Sequence, residues 1–268
     1  MDSMKHGKCK LCEGDKPLCD SHLAPAGLYK YCKAANLGPV RMTAKEIAVA
    51  KEEVTAYLLC QECEQRLNRD GENWLLPKLA TMEEKFPFYN ILTEVPPDTL
   101  EDGSAAYASS RNRKIGFRKL TNFAVGVFWK ASVHSWRNNK TEPMIQLGKY
   151  GEEFRRFLVG KGKFPKHATL VVGVSPPEKA VIGFMMPHFR GVSTYHQFVF
   201  YVPGIVFVLQ VGKQISDFER QLCFYSDPLH PIIVADLAKD IYGMVGKYTA
   251  KAVRSKEVAD YLNAKKRP

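Results

Sequence analysis

The sequence lacks any apolar run long enough to cross a bilayer. Its most apolar stretch, 198–211, is shorter than a membrane-spanning helix and is interrupted by Pro203 and Gly204, so it predicts two buried strands. The basic N-terminus is not followed by an apolar segment, and we therefore expect neither a signal peptide nor a membrane partner. The prediction is a soluble, cytoplasmic protein.

Familiar catalytic patterns are missing as well. The chain has neither the glycine-rich loop that ends in Gly-Lys-Ser/Thr nor the glycine pattern of dinucleotide-binding folds. No serine, histidine and aspartate pattern indicates nucleophilic catalysis, and no internal repeat is present. These absences argue against nucleotide-binding enzymes and serine hydrolases, and they direct attention to the few cysteines.

Cysteine is scarce but concentrated. The chain has 7 cysteines, and four of them form two Cys-x-x-Cys pairs, Cys9 with Cys12 and Cys60 with Cys63. In a cytoplasmic protein such pairs indicate metal ligation rather than disulfides. Because two pairs supply the four thiolates of a tetrahedral site, we predict one structural Zn²⁺ bound by all four cysteines.

A second set of residues is an alternative set of zinc ligands. Cys9, Cys12, Cys19 and His22 form a compact Cys-x-x-Cys and Cys-x-x-His pattern that could close on zinc by itself. That set would leave the second cysteine pair without a metal, and the four-cysteine set is the favoured hypothesis.

Acidic residues are sparse in the second part of the chain. Residues 111–268 hold 26 Lys and Arg against 11 Asp and Glu, residues 1–78 hold 12 against 11, and residues 79–110 hold 1 against 6. A positive field attracts phosphate polymers. We therefore expect a nucleic-acid partner, double-stranded DNA first, against the competing interpretation of an ordinary solvated surface.

The same change in composition predicts the domain organisation. Residues 1–78 form a zinc-finger domain, residues 79–110 with three prolines form a linker, and residues 111–268 form a basic domain. The predicted fold class is α+β, in which the second domain has a mainly antiparallel sheet flanked by helices.

Apolar periodicity and turn residues predict the individual elements. Thr43 and Glu46 have the spacing of a capping box. The predicted helices are 41–59, a short helix within 62–76 that ends near Gly71, 117–136, 151–160 and 235–263. The predicted strands are 168–174, 180–186, 197–202, 204–211 and 220–226.

The cysteine pairs have a distinctive context. Between them lies the segment Ser-His-Leu-Ala-Pro at 21–25, and the second pair stands in Leu-Leu-Cys-Gln-Glu-Cys-Glu at 58–64. Over residues 9–75 this pattern resembles the zinc-finger form of the HNH (ββα-metal) endonucleases, particularly divergent bacterial members. The resemblance implies a treble-clef finger in the first domain.

The resemblance also implies a set of catalytic residues. His22 matches the general base that activates water, and the near-neutral pKa usual for histidine suits that role. Glu64, with Asp70 or Glu72, matches the place of a catalytic cation, Mg²⁺ or Mn²⁺, that stabilises the charge on the phosphate. Alternatively, His22 stiffens its hairpin or binds the zinc, and Glu64 is a surface carboxylate.

The chain departs from the family pattern at three positions. Ser21 stands where the family has an acidic metal ligand, Thr55 where it has an asparagine, and Glu64 where it has a final histidine. Two hypotheses follow. One is a metal-dependent endonuclease that acts on DNA, in defence against foreign DNA; the other is a catalytically inactive, zinc-stabilised module that binds nucleic acid or senses a ligand.

Two basic runs are the predicted contacts with nucleic acid. Both lie in the basic domain, before and after its first helices, where their charges would follow a phosphate backbone. Their members are Arg111, Arg113, Lys114, Arg118 and Lys119 in the first run, and Lys161, Lys163 and Lys166 in the second.

Overall fold

The computed structural model describes residues 5–33, 37–50, 53–99, 104–136, 143–191 and 194–265. Within these ranges the protein is mixed α and β, and its sheets are rich in antiparallel pairs, as predicted. Across the same ranges, every helix is too short or too polar to span a membrane.

The strands are numbered in chain order. They are β1 (His6–Lys8), β2 (Asp15–His22), β3 (Val40–Met42), β4 (Glu46–Val49), β5 (Thr55–Cys60), β6 (Asp98–Thr99), β7 (Ala105–Ala108), β8 (Ala168–Val174), β9 (Met185–Arg190), β10 (His196–Val202), β11 (Ile205–Val211), β12 (Pro231–Val234) and β13 (Val253–Arg254).

The α-helices are numbered in the same way. They are α1 (Ala26–Tyr31), α2 (Gln61–Leu67), α3 (Asn73–Leu75), α4 (Pro87–Leu92), α5 (Phe117–Val133), α6 (Tyr150–Leu158), α7 (Asp217–Gln221), α8 (Ala238–Tyr248) and α9 (Lys256–Lys265).

The N-terminal part is a three-stranded sheet followed by a helix. The strand order is β1-β2-β5, and both pairs are antiparallel. Helix α2 begins directly after β5 and continues through a π-helical turn, Asn68–Glu72, into α3. We call these strands and helices the finger.

A seven-stranded sheet forms the larger layer. Its order is β6-β7-β12-β8-β11-β10-β9, and each pair is antiparallel except β12 with β8, which is parallel. The central strands β8, β10 and β11 carry long β-branched and aromatic runs, which is typical of strands buried on both faces. These three strands lie where the sequence predicted them.

Helix α5 lies between the finger and the seven-stranded sheet. Its Phe123 and Phe128 pack against Phe200 of β10, while Phe123 also approaches the finger. A Cβ atom on Gly71 would stand 2.7 Å from the backbone nitrogen of Phe123. Gly71 therefore allows two helical backbones to meet, and it does not end the helix as predicted. The hydrophobic core is continuous between the two parts of the protein, since one cluster of buried residues includes both Cys9 and Val234.

The predicted helix at 41–59 is wrong. The structure has strands β3, β4 and β5 there, and β3, β4 and β13 form a separate small sheet. The Thr43 hydroxyl accepts a hydrogen bond from the Glu46 N–H and donates one to the Glu46 carbonyl, each at 2.9 Å. The threonine that resembled a helix cap therefore closes a turn between two strands.

The predicted strand at 220–226 is also wrong, because a helix cap precedes it. Ser216 accepts a hydrogen bond from the Glu219 N–H, and the Glu219 side chain accepts one from the Ser216 N–H. This capping box starts α7. The predicted strand at 180–186 lies a few residues later, as β9. The N–H and the carbonyl of Val181 form hydrogen bonds with the hydroxyl of Tyr201 rather than with a neighbouring strand.

One further prediction is corrected. The long helix predicted over 235–263 is divided into α8 and α9 by strand β13, which pairs in parallel with β4. The segment 79–110, predicted as a linker, contains α4, β6 and β7, and β7 pairs with β12. The division of the chain into 1–78, the linker 79–110 and 111–268 stays a prediction.

Candidate metal centre and its surroundings

Four sulfur atoms converge at the edge of the finger. The Sγ atoms of Cys9, Cys12, Cys60 and Cys63 all lie within 4.8 Å of one another, and those of Cys12 and Cys60 are 3.8 Å apart. A Zn–S bond of about 2.3 Å places the sulfurs of a tetrahedral site about 3.8 Å apart. The predicted four-cysteine cluster therefore has dimensions compatible with a metal such as zinc.

The first pair stands in the tight turn between β1 and β2. The Cys9 N–H donates to the Gly14 carbonyl at 2.9 Å, and the Glu13 N–H donates to the Cys9 carbonyl at 2.9 Å. Glu13 has a φ of 63°, so the chain reverses sharply. The Lys10 N–H donates to the Leu58 carbonyl at 3.1 Å, which fixes this turn against β5.

The second pair stands where β5 becomes α2. Cys60 ends the strand and occupies the position before the first helical residue, and Cys63 lies in the first turn of the helix. Pairing of β2 with β5 places Leu18 opposite Cys60, which brings the second pair to the first. Three of the four cysteines are buried and Cys12 is exposed.

The surroundings of the sulfurs suit a bound cation. Burial raises the pKa of the Cys63 thiol, and the neighbouring sulfurs of Cys60 and Cys9 raise it further. Burial also acts to raise the pKa of Cys9, but N–H groups of Cys12, Cys60 and Leu11 outweigh it and lower that pKa overall. Four thiolates at these distances therefore need a compensating positive charge.

Arg155 of α6 attaches the turn that carries Cys9 and Cys12 to the rest of the protein. Its guanidinium donates to the Leu11 carbonyl at 2.7 Å, between the first two cysteines, and pairs with Glu13 at 2.9 Å. It also pairs with Glu152 on its own helix at 2.6 Å. The cluster is therefore part of the interface between the finger and α6.

The rival ligand set does not come together. Within the described residues, Cys19 and His22 belong to no group of three or more close metal-ligating side chains. The Nε2 atom of His22 lies instead 2.5 Å from a carboxylate oxygen of Glu53. The geometry thus favours the four-cysteine set.

His22 occupies the end of β2, at the surface of the finger. Its side chain is 32% exposed and that of Glu53 is 43% exposed. Its backbone carbonyl accepts a 3.0 Å hydrogen bond from the Nζ of Lys130. Thr55 pairs opposite His22 across the strands, and the Ser21 hydroxyl accepts a hydrogen bond from the Leu59 N–H.

The carboxylates predicted to bind a catalytic cation have different surroundings. Glu72 forms an ion pair with Lys130 at 3.3 Å, and Asp70 forms one with Arg69 at 2.9 Å. Glu64 has a buried Oε1 atom without a hydrogen-bond partner among the described residues. Within those residues the cysteine cluster is the only close group of three or more metal-ligating side chains.

The segments that carry the two basic runs both contact the finger. Lys119 of the first run donates to the Arg69 carbonyl at 2.7 Å. Arg66 of α2 donates to the Val159 carbonyl at 3.2 Å, two residues before Lys161 of the second run. The runs therefore border the same helical segment of the finger.

Most side chains of these runs face solvent. Lys114 pairs with Glu94 at 2.7 Å, and Lys119 is partly buried. The remaining predicted contacts are exposed, namely Arg111, Arg113, Arg118, Lys161, Lys163 and Lys166.

A glycine fixes the loop that carries the second run. Gly160 has a φ of 75°; its N–H bonds the Phe157 carbonyl, and the Lys161 N–H bonds the Arg156 carbonyl. This pair of bonds is the usual end of a helix at glycine. It projects Lys161 and Lys163 from the end of α6.

Sequence reasoning missed Lys130 and Arg155. Lys130 is 2% exposed, and a signal for it exists, since a lysine stands in an otherwise apolar stretch of α5. A lysine at such a position requires buried partners. Arg155 has no such signal, because its partner is a backbone carbonyl far away in the sequence.

The arrangement offers a site for a structural cation, a histidine–carboxylate pair and a cationic surface. Comparisons of the chain with protein-family models, with curated proteins and with solved structures found no match.

Proposed function

We propose that this protein binds nucleic acid through the cationic surface beside its finger, and that Zn²⁺ on the four cysteines stabilises the finger. A metal-binding turn, the antiparallel pair β2 and β5, and a helix that begins at the second cysteine pair follow in the order of a treble clef. The observation that carries the proposal is that the segments bearing the two basic runs both contact one helical segment of the finger, at Arg66 and Arg69.

Charge supports this proposal. The second part of the chain holds most of the net positive charge, and Lys161 and Lys163 project from a loop of fixed conformation. Such groups release counterions from a phosphate backbone, which makes binding favourable and dependent on salt. Contacts of this kind position a nucleic acid without selecting a sequence.

The zinc has a structural part in the proposal. Without a cation, four converging thiolates repel one another, and the turn to which Arg155 binds would be less ordered. Because α6 bears both Arg155 and the loop with Lys161, order in the turn supports order in the cationic surface.

Hydrolysis is the second candidate function, favoured by the contact between His22 and Glu53. A carboxylate that orients a partly exposed imidazole is an arrangement suited to a general base. The proposed catalytic cation has less support, because Glu72 already binds the ammonium of Lys130. A divalent cation on Glu72 would have to displace that charge from a buried position. We therefore rank binding first.

Binding is tested with charge reversals on the loop after α6. The double variant Lys161→Glu/Lys163→Glu is compared with Lys239→Glu/Lys247→Glu, which changes the net charge equally on exposed positions of α8. Fluorescence anisotropy with a labelled mixed-sequence oligonucleotide, single-stranded and duplex, gives affinities over a salt series. We expect the first variant to weaken binding at least about tenfold, and to lower the salt slope on the duplex by about 0.9 per lost phosphate contact.

The control variant should stay within about twofold of the wild type at physiological salt, where distant charges are screened. Equal weakening in both variants, or no binding by the wild type at low salt, would contradict the proposal. Plasmid incubated with Mg²⁺ or Mn²⁺ separates the second candidate. Nicking that disappears in His22→Ala, at unchanged zinc content, would place hydrolysis first.

A further inference from the structure

A half-buried strip of aromatic rings joins the two basic runs. The Tyr225 ring lies between Phe117 and Phe164, with centroid distances of 6.4 Å and 4.8 Å. His230 stacks on Phe117 at 4.2 Å with an interplanar angle of 10°. We call Phe117, Phe164, Tyr225 and His230 the aromatic strip.

The aromatic strip differs from the aromatic residues of the core. Phe123 and Phe200 are 2% and 0% exposed, whereas Phe117, Tyr225 and His230 are only partly buried. The Tyr225 hydroxyl is not buried and has no hydrogen-bond partner among the described residues. Phe117, Tyr225 and His230 therefore keep part of their surface in contact with solvent, whereas the buried Phe164 stacks on the Tyr225 ring.

Cationic side chains border the strip at both ends. The Arg118 guanidinium lies 5.8 Å from the centroid of the Phe117 ring. At the other end, Lys163 and Lys166 flank Phe164 in the sequence, and Arg220 donates to the Lys166 carbonyl at 3.2 Å. The strip is thus continuous with the cationic surface that the proposed function assigns to nucleic acid.

Partly exposed rings that are bordered by cations indicate a particular kind of nucleic acid. In a duplex the faces of the bases are covered by neighbouring pairs, so only the phosphates are available to this surface. In a single strand the base faces are free and stack on aromatic side chains, while cations bind the backbone between them. The rings add affinity for a single strand only.

We infer that the aromatic strip binds single-stranded nucleic acid, with bases stacked on Phe117 and Tyr225 and phosphates bound by Arg118 and Lys163. This inference rests on the proposed function and specifies its ligand. Duplex DNA then binds the same protein through phosphates alone. The preference for a single strand comes from stacking, which is largely insensitive to base identity.

The test replaces one ring and keeps the packing beneath it. Tyr225→Leu is compared with Phe189→Leu, which removes an aromatic side chain that is 51% exposed on strand β9. The probes are a labelled oligodeoxythymidylate and a duplex of the same length, measured by anisotropy. We expect Tyr225→Leu to weaken binding of the single strand by about 5- to 150-fold per lost stack, and binding of the duplex by less than about twofold. Phe189→Leu should change neither affinity.

A second measurement needs no variant. Oligodeoxythymidylate that contains bromouracil is photo-cross-linked to the wild-type protein, and the modified peptides are mapped by mass spectrometry. Cross-links are expected at Phe117 or Tyr225. Cross-links confined to other parts of the chain, or equal losses for both probes in Tyr225→Leu, would overturn the strip as a single-strand site. If neither probe binds the wild type at low salt, the proposed function itself fails.

Discussion

The Sγ atoms of Cys12 and Cys60 lie 3.8 Å apart, although 48 positions separate them in the sequence. Each cysteine pair is set locally, one by a tight turn and the other by the start of a helix. Pairing of β2 with β5 then brings the two pairs together. A metal that binds both pairs closes a long loop, which is the situation in which a cross-link removes most entropy from the unfolded chain.

The four-cysteine centre predicts the metal content of single variants. We expect the wild type to bind about one zinc ion per chain and Cys60→Ser to retain little of it, because three thiolates close a structural site poorly. Cys223→Ser is the matched control, since Cys223 is also buried but lies outside the cluster. Elemental analysis of the purified proteins measures the difference.

The rival ligand set makes the opposite prediction. Zinc at full content in Cys60→Ser, together with zinc loss in His22→Ala, would exclude the four-cysteine centre. If the four cysteines bind the metal, His22→Ala should keep its zinc, because His22 contacts Glu53 instead.

Lys130 predicts a large effect on stability. Lys130→Met leaves the Glu72 carboxylate and the His22 carbonyl without their buried ammonium partner. Loss of one member of a buried pair costs about 3–5 kcal/mol of unfolding free energy, whereas loss of the exposed pair of Lys114 and Glu94 should cost much less, because water screens it. Urea denaturation of Lys130→Met and of Lys114→Met measures both.

A double variant tests the origin of that loss. Lys130→Met/Glu72→Gln removes the unpaired charge as well as the ammonium, so it should recover part of the stability that Lys130→Met loses. Equal unfolding free energies for Lys130→Met and Lys114→Met would show that the buried pair contributes little. Apolar packing and the hydrogen bond from Lys119 to the Arg69 carbonyl would then hold the finger against α5.

The parts of the fold that the sequence predicts are those in which local pattern and final environment agree. The two Cys-x-x-Cys pairs identify the cluster because each is set within one turn. The strands at 168–174 and 204–211 are recognisable because β-branched runs favour strands and the sheet buries them on both faces. Helix α5 is recognisable by the helical spacing of its apolar residues. A second face of the helix is buried because the finger covers it.

The mispredicted parts are those in which one sequence pattern is compatible with two different local structures. Thr43 and Glu46 have the spacing of a helix cap, but the same hydroxyl can close a turn between strands. In the segment before 220–226, Ser216 and Glu219 do form a cap, yet the apolar residues that follow favoured a strand. Contacts such as that of Arg155 with Leu11 depend on the tertiary structure, and no local pattern predicts them.

The buried hydroxyl of Tyr201 makes the stability of the protein depend on alkaline pH. This hydroxyl donates to the Val181 carbonyl at 2.7 Å and accepts from the Gly204 N–H at 2.8 Å. Burial raises the pKa of Tyr201 to about 12, above the ordinary value of about 10. Since the folded pKa is the higher one, the native protein keeps this proton more tightly than the unfolded chain does. Its contribution to stability is complete below about pH 10 and is lost as the pH rises through about 12.

Denaturant midpoints measured from neutral to strongly alkaline pH test this expectation. Tyr201→Phe should be less stable than the wild type at neutral pH and should lose stability less steeply above about pH 10. Because burial, together with a hydrogen bond to Glu219, also raises the pKa of Tyr195 to about 12, the difference between the two curves isolates Tyr201. Tyr57→Phe is the control, since Tyr57 is 39% exposed, and its curve should follow the wild type. Parallel curves for Tyr201→Phe and the wild type would show that Tyr201 ionises without loss of native structure.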